Sequence, residues 1–251
     1  MTLEFLTPDT AATTDRFTPV ARSPMERGAR GAGARFEIRE GWNVAVAYGS
    51  GEPEIEACRV AAGWCDVSHL GKLELQATAE DLEAIVAAAA DGARLELGTA
   101  ARVAGAWWCP LTERRALVLC EPSALPALRE RLEKAVAGAT EPASLVDVTT
   151  VFAAMTLVGP AARDIFARFC ALDLRPAATP VRSFRPGSIA RQPGMLLREA
   201  DDRFLFLFGW AVADYMWTVV DDAGRALGAA PIGVDALAAL EQPREEVPSR
   251  A

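Results

Sequence analysis

The sequence predicts an α+β fold, a single pseudo-duplicated domain of two ferredoxin-like halves, from three observations. An Asp-Val-Ser turn at Asp66–Ser68 recurs as Asp-Val-Thr at Asp147–Thr149, a shift of 81 positions. The apolar run Arg115–Cys120 recurs as Arg203–Phe208, a shift of 88. Each half also has the order strand, helix, two strands, helix, which is that of a ferredoxin-like unit. We therefore expect one body of two packed sheets rather than two independent domains.

Hydrophobic periodicity predicts the elements of the first half. Gly71–Ala77 alternates between apolar and polar residues, as a half-buried strand does. Thr78 is a good N-cap for the helix that follows. The apolar face of that helix comprises Leu82, Ile85, Val86 and Ala89. Arg115–Cys120 is an apolar strand, and a second helix is expected from Ser123. Its buried stripe comprises Leu125, Leu128 and Leu132.

The second half repeats this pattern with different side chains. Phe152–Val158 is expected to be a strand, and Gly159-Pro160 leads into a helix. The core side of that helix comprises Ile165, Phe166 and Phe169. Arg203–Phe208 is the repeated strand. The helix after it carries Val212, Tyr215, Met216 and Val219. The alanine-rich stretch 135–143 is the expected seam between the halves.

The ends of the chain differ from its middle. Residues 1–22 mix Thr, Asp, Pro and Arg without apolar periodicity and are expected to be a poorly ordered tail. The domain is expected over residues 23–241, followed by a second tail at 242–251. Before the first repeat, short strands are expected at Arg35–Arg39 and Asn43–Tyr48, and a helix at Glu54–Gly63.

Charge and composition exclude several classes of protein. The net charge of −8 argues against wholesale binding of nucleic acid, which requires a basic face. A basic run at 182–198 is interpreted mainly as a solvated loop with strand ends, and a local basic patch is the alternative. No apolar run approaches the roughly 20 residues of a membrane span. The first residues lack the basic and apolar regions of a signal peptide.

The five cysteines are interpreted as small buried residues. Their number is odd, no Cys-x-x-Cys is present, and a single histidine leaves no zinc-ligand set. We therefore expect no metal site and no disulfide framework, and reduced thiols favour the cytoplasm. The glycine-rich motifs of dinucleotide and NTP phosphate sites are also absent, so no flavin or nicotinamide site is expected in this chain.

The stretch around His69 has two interpretations. As the sole histidine, His69 is a candidate for donating a hydrogen bond or a proton in a ligand pocket. It also suits a structural role in the turn that leads into the next strand. Asp66 and Ser68 are natural turn residues, because their side chains bond to nearby backbone amides. Four tryptophans, at 42, 107, 108 and 217, are interpreted as core residues first and as an aromatic slot second.

Several blocks of the sequence together carry a family resemblance. They are Ser23-Pro24, Gly33–Phe36, Gly41-Trp42, Tyr48, Ala62–Lys72, Leu157–Arg163, Phe204–Trp217 and Pro231–Leu237. In this combination the chain resembles the glycine cleavage T-protein (aminomethyltransferase) over residues 23–241. Asp173–Ala177 and Pro186–Arg191 look more like the gamma subunit of heterotetrameric sarcosine oxidase, a member of the same superfamily.

The resemblance implies a tetrahydrofolate-binding fold used in one-carbon transfer from amines. The cofactor-binding residues predicted on this basis are Tyr48, Ser68, His69, Asp201 and Trp217. No catalytic residue is predicted, because the family's catalytic aspartate hairpin aligns with Arg102–Pro110, which has no acid. Asp201 aligns with the family's pterin-binding glutamate and is one methylene shorter. Leu237 stands at the position of a family arginine, and the C-terminal barrel of the full enzyme is expected to be missing.

Two functions follow from these expectations. The first is an accessory, gamma-like subunit of a multi-subunit, tetrahydrofolate-linked oxidase of sarcosine or another N-methyl amine. Its partners would be flavoprotein and folate-binding subunits, with no nucleic acid or membrane. The alternative is a stand-alone tetrahydrofolate-dependent aminomethyltransferase or methyltransferase. A folate-binding regulator without turnover is a third interpretation, and the sequence does not separate it from the second.

Overall fold

The computed structural model describes residues 19–49 and 51–241. The helices are α1 (Glu26–Gly31), α2 (Glu52–Val60), α3 (Ala79–Ala89), α4 (Leu125–Val136), α5 (Ala162–Phe166), α6 (Ala213–Arg225) and α7 (Val234–Glu241). The first seven strands are β1 (Ala21–Arg22), β2 (Arg35–Arg39), β3 (Trp42–Ala47), β4 (Gly63–Asp66), β5 (Gly71–Gln76), β6 (Ala101–Val103) and β7 (Ala106–Thr112). The remaining strands are β8 (Arg115–Cys120), β9 (Ser144–Asp147), β10 (Phe152–Val158), β11 (Phe184–Ile189), β12 (Gln192–Ala200), β13 (Arg203–Gly209) and β14 (Ala230–Pro231).

The strands form three sheets. A five-stranded sheet has the order β6-β7-β8-β5-β9, and a six-stranded sheet has the order β11-β12-β13-β10-β4-β14. The order β7-β8-β5-β9 is that of a ferredoxin-like unit, and β12-β13-β10 repeats its core. A small third sheet, β1-β3-β2, packs beside them. The predicted α+β fold of two ferredoxin-like halves is therefore confirmed, and none of these sheets closes into a barrel among the described residues.

The two halves exchange a strand. β4 precedes the first strand of the first half, yet it pairs with β10 in the six-stranded sheet. β9 precedes β10, yet it pairs with β5 in the five-stranded sheet. Each Asp-Val-Ser/Thr turn is therefore a crossover from one sheet to the other. We call these turns the first crossover (Asp66–Leu70) and the second crossover (Asp147–Val151).

The two crossovers use the same hydrogen bonds. In the first, the Asp66 Oδ1 accepts the Ser68 N–H at 3.0 Å. In the second, the Asp147 Oδ1 accepts the Thr149 N–H at 2.9 Å. The bonds are also reciprocal between the halves, because the Ser68 hydroxyl accepts the Ala154 N–H at 3.1 Å and the Thr149 hydroxyl accepts the Lys72 N–H at 3.0 Å. Asx-type turns of this kind explain why the motif recurs in the sequence.

The core is divided by the six-stranded sheet. One buried cluster, with Trp64, Met155, Phe166 and Phe206, lies under α5 and α6. A second cluster, with Cys65, Trp107, Leu117, Leu197 and Leu237, lies on the other face, between the two large sheets. A third cluster, with Leu82, Ile85, Leu128 and Leu132, fills the space between the five-stranded sheet and its helices α3 and α4. Successive side chains of β10 face the first and the second cluster in turn, because neighbouring residues of a strand point to opposite faces of the sheet.

Several local expectations need adjustment. The helix expected at Glu54–Gly63 spans Glu52–Val60, and Gly63 begins β4, which was not predicted. Ala21–Arg22, within the predicted tail, pairs in parallel with Trp42 and Asn43. Residues 1–18 and 242–251 lie outside the described part of the chain. Within the described ranges, no helix combines the length and apolar character needed to cross a bilayer.

Candidate functional site

A cavity of about 700 Å³ lies between the two large sheets. We call it the inter-sheet cavity. Its walls come from the first crossover, the β6–β7 hairpin, the inner faces of β10, β12 and β13, and α7. The polar and aromatic residues that matter for its chemistry are His69, Arg102, Trp107, Thr156, Glu199 and Arg203. Its volume is within the range of small-ligand sites, which commonly form where two structural units meet.

A glutamate held by two donors forms the polar centre of the wall. Glu199 accepts the Trp107 indole N–H at 3.0 Å and the Arg203 Nε–H at 2.8 Å. The side chains of Glu199 and Arg203 are only 11% and 15% exposed. The Arg102 guanidinium stands over the Trp107 ring at 5.1 Å from its centroid, a cation–π arrangement. Because each carboxylate oxygen accepts a charge-assisted or indole bond, the side chain of Glu199 is held in place at the cavity wall.

Thr156 offers a buried hydroxyl to the same cavity. It lies on β10, and its Oγ1 has no hydrogen-bond partner among the described residues. The residue is 1% exposed. An unsatisfied buried hydroxyl costs about 1–3 kcal/mol, so such groups normally meet a partner. The Thr156 hydroxyl is therefore a candidate hydrogen-bonding group for a polar ligand in the cavity.

His69 reaches the cavity from the first crossover. The carbonyls on either side of it, Ser68 O and Leu70 O, each accept a bond from the Lys72 ammonium at 2.8 Å. A third bond, at 3.3 Å, joins Lys72 Nζ to Thr149 O in the second crossover. Burial, aided by the charges of Lys72 and Arg39, lowers the pKa of His69 to about 4. The imidazole is therefore neutral at physiological pH, a hydrogen-bonding group rather than a cation.

Lys72 is fully buried at the junction of the two crossovers. Its ammonium contacts three carbonyls and, among the described residues, no carboxylate at bonding distance. Burial lowers the pKa of Lys72 to about 7, although the nearby charges of Asp66 and Asp147 oppose the shift. Lys72 thus holds the loop of His69 against the second half of the molecule.

α7 forms the outer wall of the cavity and is attached at its start. The buried carboxylate of Glu54 accepts the Tyr48 N–H at 2.8 Å and the Gly233 N–H at 2.6 Å. Gly233 has no room for a side chain, because a Cβ there would lie 1.9 Å from the Val46 carbonyl oxygen. Arg39 binds Asp235 in the first turn of α7. Helix α7 is therefore positioned by close backbone packing at Gly233 as well as by the ion pair of Arg39 with Asp235.

The structure separates the five predicted cofactor-binding residues. Only His69 lines the inter-sheet cavity. Ser68 is fully buried, and its hydroxyl is used by the backbone of Ala154. Tyr48 and Trp217 stack on each other with ring centroids 6.4 Å apart. They pack with the cluster on the opposite face of the six-stranded sheet, under α6. Their ligand-binding roles remain predictions.

Asp201 lies on the surface. Its side chain is 88% exposed in the turn between β12 and β13, and it accepts a bond of 2.8 Å from the buried Arg198 guanidinium. Glu199, two residues earlier, faces the cavity instead. The register of β12 shifts between Arg198 and Ala200, so Glu199 occupies a β-bulge. Bulges redirect side chains, and nothing in the local sequence signals this one.

The cysteines do not provide a nucleophile. All five are free thiols, and Cys120 lies in the cavity wall. Burial raises the pKa of Cys120 to about 12, so the thiol is protonated at neutral pH. Across the described residues, no three His, Cys, Asp or Glu side chains lie together as metal ligands would.

A duplicated ferredoxin-like fold with a ligand-sized cavity between its halves is the class that these observations define. The sequence matches the family described as "GCVT N-terminal domain" over residues 25–243, and the chain belongs to this family. A 54-residue segment is 41% identical to an aminomethyltransferase of Picosynechococcus sp., covering 22% of this chain and 15% of that protein.

Two solved structures share the fold. The glycine cleavage system aminomethyltransferase T of Bartonella henselae superposes with a TM-score of 0.70 and 19% identity, over 86% of this chain and 60% of that one. A chain of the heterotetrameric sarcosine oxidase of Corynebacterium sp. U-96 superposes with a TM-score of 0.61 and 23% identity, over 73% of this chain and 95% of that one. This chain thus spans only part of the aminomethyltransferases it matches.

Proposed function

We propose that this chain is an accessory, gamma-like subunit of a multi-subunit, tetrahydrofolate-linked oxidase of sarcosine or another N-methyl amine. In this proposal it binds a folate-type ligand without carrying out aminomethyl transfer. The observation that carries the proposal is the β6–β7 hairpin. Where the family's catalytic aspartate is expected, this hairpin offers Arg102 and Trp107 to the cavity.

The remaining polar groups do not replace that acid. Glu199 is held by Trp107 and Arg203, and His69 is neutral and bonds to no carboxylate among the described residues. Loss of a positioned acid–base group typically costs about 10²–10⁴ in rate. A cavity that lacks this acid favours binding over turnover.

The residues present fit a flat, polar ligand such as tetrahydrofolate. Tetrahydrofolate, when bound, supplies the nitrogen atoms that carry a one-carbon unit. In this chain Trp107 would offer a ring face or edge, and Thr156 a hydroxyl that lacks a protein partner. Glu199 and Arg203 would contribute fixed charge at the wall. The cavity volume, about 700 Å³, accommodates a bicyclic ring with its first substituent.

The accessory role draws its support from the fold comparison with the sarcosine oxidase chain, which this chain covers almost entirely. In the proposal, flavoprotein and folate-binding subunits surround this chain and perform the oxidation. No flavin or nicotinamide site is assigned to this chain itself.

A ligand titration tests the binding part of the proposal. Tetrahydrofolate added to the purified full-length chain should change tryptophan fluorescence saturably, because Trp107 lies in the cavity wall. Glu199→Gln should weaken binding roughly tenfold, since it removes the anion that orients Trp107 and Arg203. Glu133→Gln is the matched control, because Glu133 is exposed on α4 and does not line the cavity, and it should bind as wild type. No saturable change with wild type, or equal loss in both variants, would contradict the proposal.

Co-expression tests the subunit part. The chain is expressed with a flavoprotein encoded beside it and purified through a tag on this chain alone. A stoichiometric complex containing flavin is the expected result. A monomer that transfers an aminomethyl carbon to tetrahydrofolate by itself would instead establish the stand-alone aminomethyltransferase.

A further inference from the structure

The two exchanged strands, β4 and β9, occupy matching positions and have different surroundings. Both strands have four residues, and each pairs antiparallel with the first strand of the opposite half. The outer edge of β4 is covered by β14, which runs parallel to it. β9 is the last strand of its sheet, and no described strand lies against its outer edge. Of these two equivalent edges, the β4 edge is therefore paired, and the β9 edge is paired with no described strand.

The filled edge shows what the open one can accept. The Ile232 N–H donates to Trp64 O at 2.9 Å, and the Ala230 N–H donates to Ala62 O at 3.4 Å. The side chain of Ile232 packs over Gly63, where an added Cβ would meet it at 2.8 Å. Helix α7 then continues this segment over the same strand. The occupant of the β4 edge is thus a short, extended apolar segment followed by a helix.

The corresponding groups of β9 lie on the side of the strand where no described strand pairs. By the shift of 81 positions, Ala143 and Leu145 match Ala62 and Trp64, so their carbonyls face the open edge. Cys65, beneath the β14–α7 segment, is 1% exposed, whereas the matching Val146 is 51% exposed. Val151 at the end of the second crossover is also 51% exposed. An uncovered valine on an unpaired edge strand is the feature that β-strand addition uses.

We propose that β9 is a docking strand to which a partner polypeptide adds an extended apolar segment in parallel, as Ala229–Ile232 does on β4. The inference names the contact through which the proposed accessory subunit meets its partner, and to that extent it rests on the proposed function. The parallel direction also argues against a simple dimer of this chain. A two-fold axis between two β9 strands makes them antiparallel, so the parallel pairing proposed here is not a β9–β9 contact, and the segment is assigned to the partner in the proposed oxidase complex.

A peptide binding assay tests the inference without the partner. The probe is a labelled synthetic peptide that copies residues 227–241, the segment that occupies the equivalent edge. It should bind the full-length chain saturably. Val146→Glu should weaken binding roughly tenfold, because a charge on the edge opposes strand addition. Val181→Glu, on another exposed valine, is the matched control and should bind as wild type. No saturable binding, or equal binding by all three proteins, would overturn the inference.

Two further readouts keep the result decisive. If Val146→Glu fails to fold by circular dichroism, Val146→Thr takes its place, with an expected loss of about threefold for one methyl group. Amide hydrogen exchange at residues 143–147 should slow when the peptide binds to the wild type. Concentration-dependent self-association that Val146→Glu removes would assign the edge to a second copy of this chain and overturn the partner proposed here.

The flavoprotein complex separates this inference from the proposed function. If the complex forms and Val146→Glu leaves it intact, the docking strand is wrong and the accessory function stands. If the peptide binds at β9 but no flavoprotein complex forms, the docking strand stands and the accessory function fails.

Discussion

The two crossovers share the same hydrogen bonds but carry different side chains. In both, an aspartate accepts the amide two residues on, and a hydroxyl accepts an amide from the other half. Because Lys72 and Ala154 donate the equivalent amide bonds, Lys72 in the first half corresponds to Ala154 in the second. By the shift of 81 positions, His69 corresponds to Thr150, which is exposed. The duplication supplies the geometry twice. The buried lysine and the imidazole at the cavity occur only once.

The two crossovers also differ in the burial of their aspartates. Asp66 lies buried, and its pKa is raised by that burial, whereas Asp147 is one-quarter exposed and binds Arg129. The first crossover thus carries a costly set of buried ionisable groups, while the second satisfies its aspartate at the surface. Buried ionisable groups with shifted pKa values are candidates for a functional role, and among these groups His69 lines the cavity.

The largest expected effect comes from removing the lysine that joins the crossovers. Lys72→Met should lower the free energy of unfolding by about 3 kcal/mol, because three buried carbonyls lose their donor. Urea denaturation at pH 7 measures it. Lys134→Met is the control, since the other lysine of the chain is exposed on α4 and should change stability little. Equal stability of all three proteins would mean that the crossovers hold together without Lys72.

The same variant gives a pH signature. The pKa of Lys72 falls from 10.5 to about 7 on folding, so between these values the unfolded chain binds the extra proton. Stability from this group therefore rises as pH increases from 7 towards 10.5, and it is constant below 7. Over this pH range the free energy of unfolding of the wild type should therefore rise relative to that of Lys72→Met. A flat difference between the two proteins would show that the ammonium is not destabilised by burial.

The second expected effect concerns the imidazole that only the first crossover carries. Because the pKa of His69 is lowered to about 4, the folded protein keeps the ring neutral while the unfolded chain protonates it below about 6.5. Stability is therefore lost as pH falls from 6.5 to 4. We expect the wild type to lose about 2 kcal/mol more than His69→Gln over this range.

Urea denaturation at several pH values measures that difference. Asp66 acts in the opposite sense, because its raised pKa makes the folded form take up a proton early. It is present in both proteins, so its contribution cancels in the comparison. Parallel pH profiles of the unfolding free energy for the two proteins would mean that the His69 imidazole is exposed to water. The two crossovers would then not differ in this respect.

Sequence reasoning found the crossovers because their side chains are required locally. Asp66 accepts the amide of Ser68 and Asp147 accepts that of Thr149, each two residues on, so the aspartate has to recur wherever the turn recurs. The exchange of β4 and β9 was not predictable in the same way. Gly63–Asp66 is buried at every position and shows no alternation, and its partner β10 lies far along the chain.

The site was predicted less well than the fold. His69 stood out as the sole histidine and does line the cavity. Glu199 was missed because a β-bulge directs it inward, and a bulge depends on pairing between distant strands. Trp107 was interpreted first as core, although its indole N–H serves Glu199 across 92 positions of sequence. Which face of a sheet a side chain occupies is decided by partners that a single sequence does not show.

The smallest expected effect tests whether the crossovers are equivalent as scaffolds. Ser68→Ala and Thr149→Val each leave one buried backbone N–H without its acceptor, at Ala154 and Lys72 respectively. Each should cost about 1–2 kcal/mol of unfolding free energy, and the two costs should agree within about 0.5 kcal/mol. The double variant should be additive if each hydroxyl serves only its own N–H. A much larger cost for Ser68→Ala would mean that the first turn also depends on Lys72 and His69 beside it. The two crossovers would then not be equivalent as scaffolds.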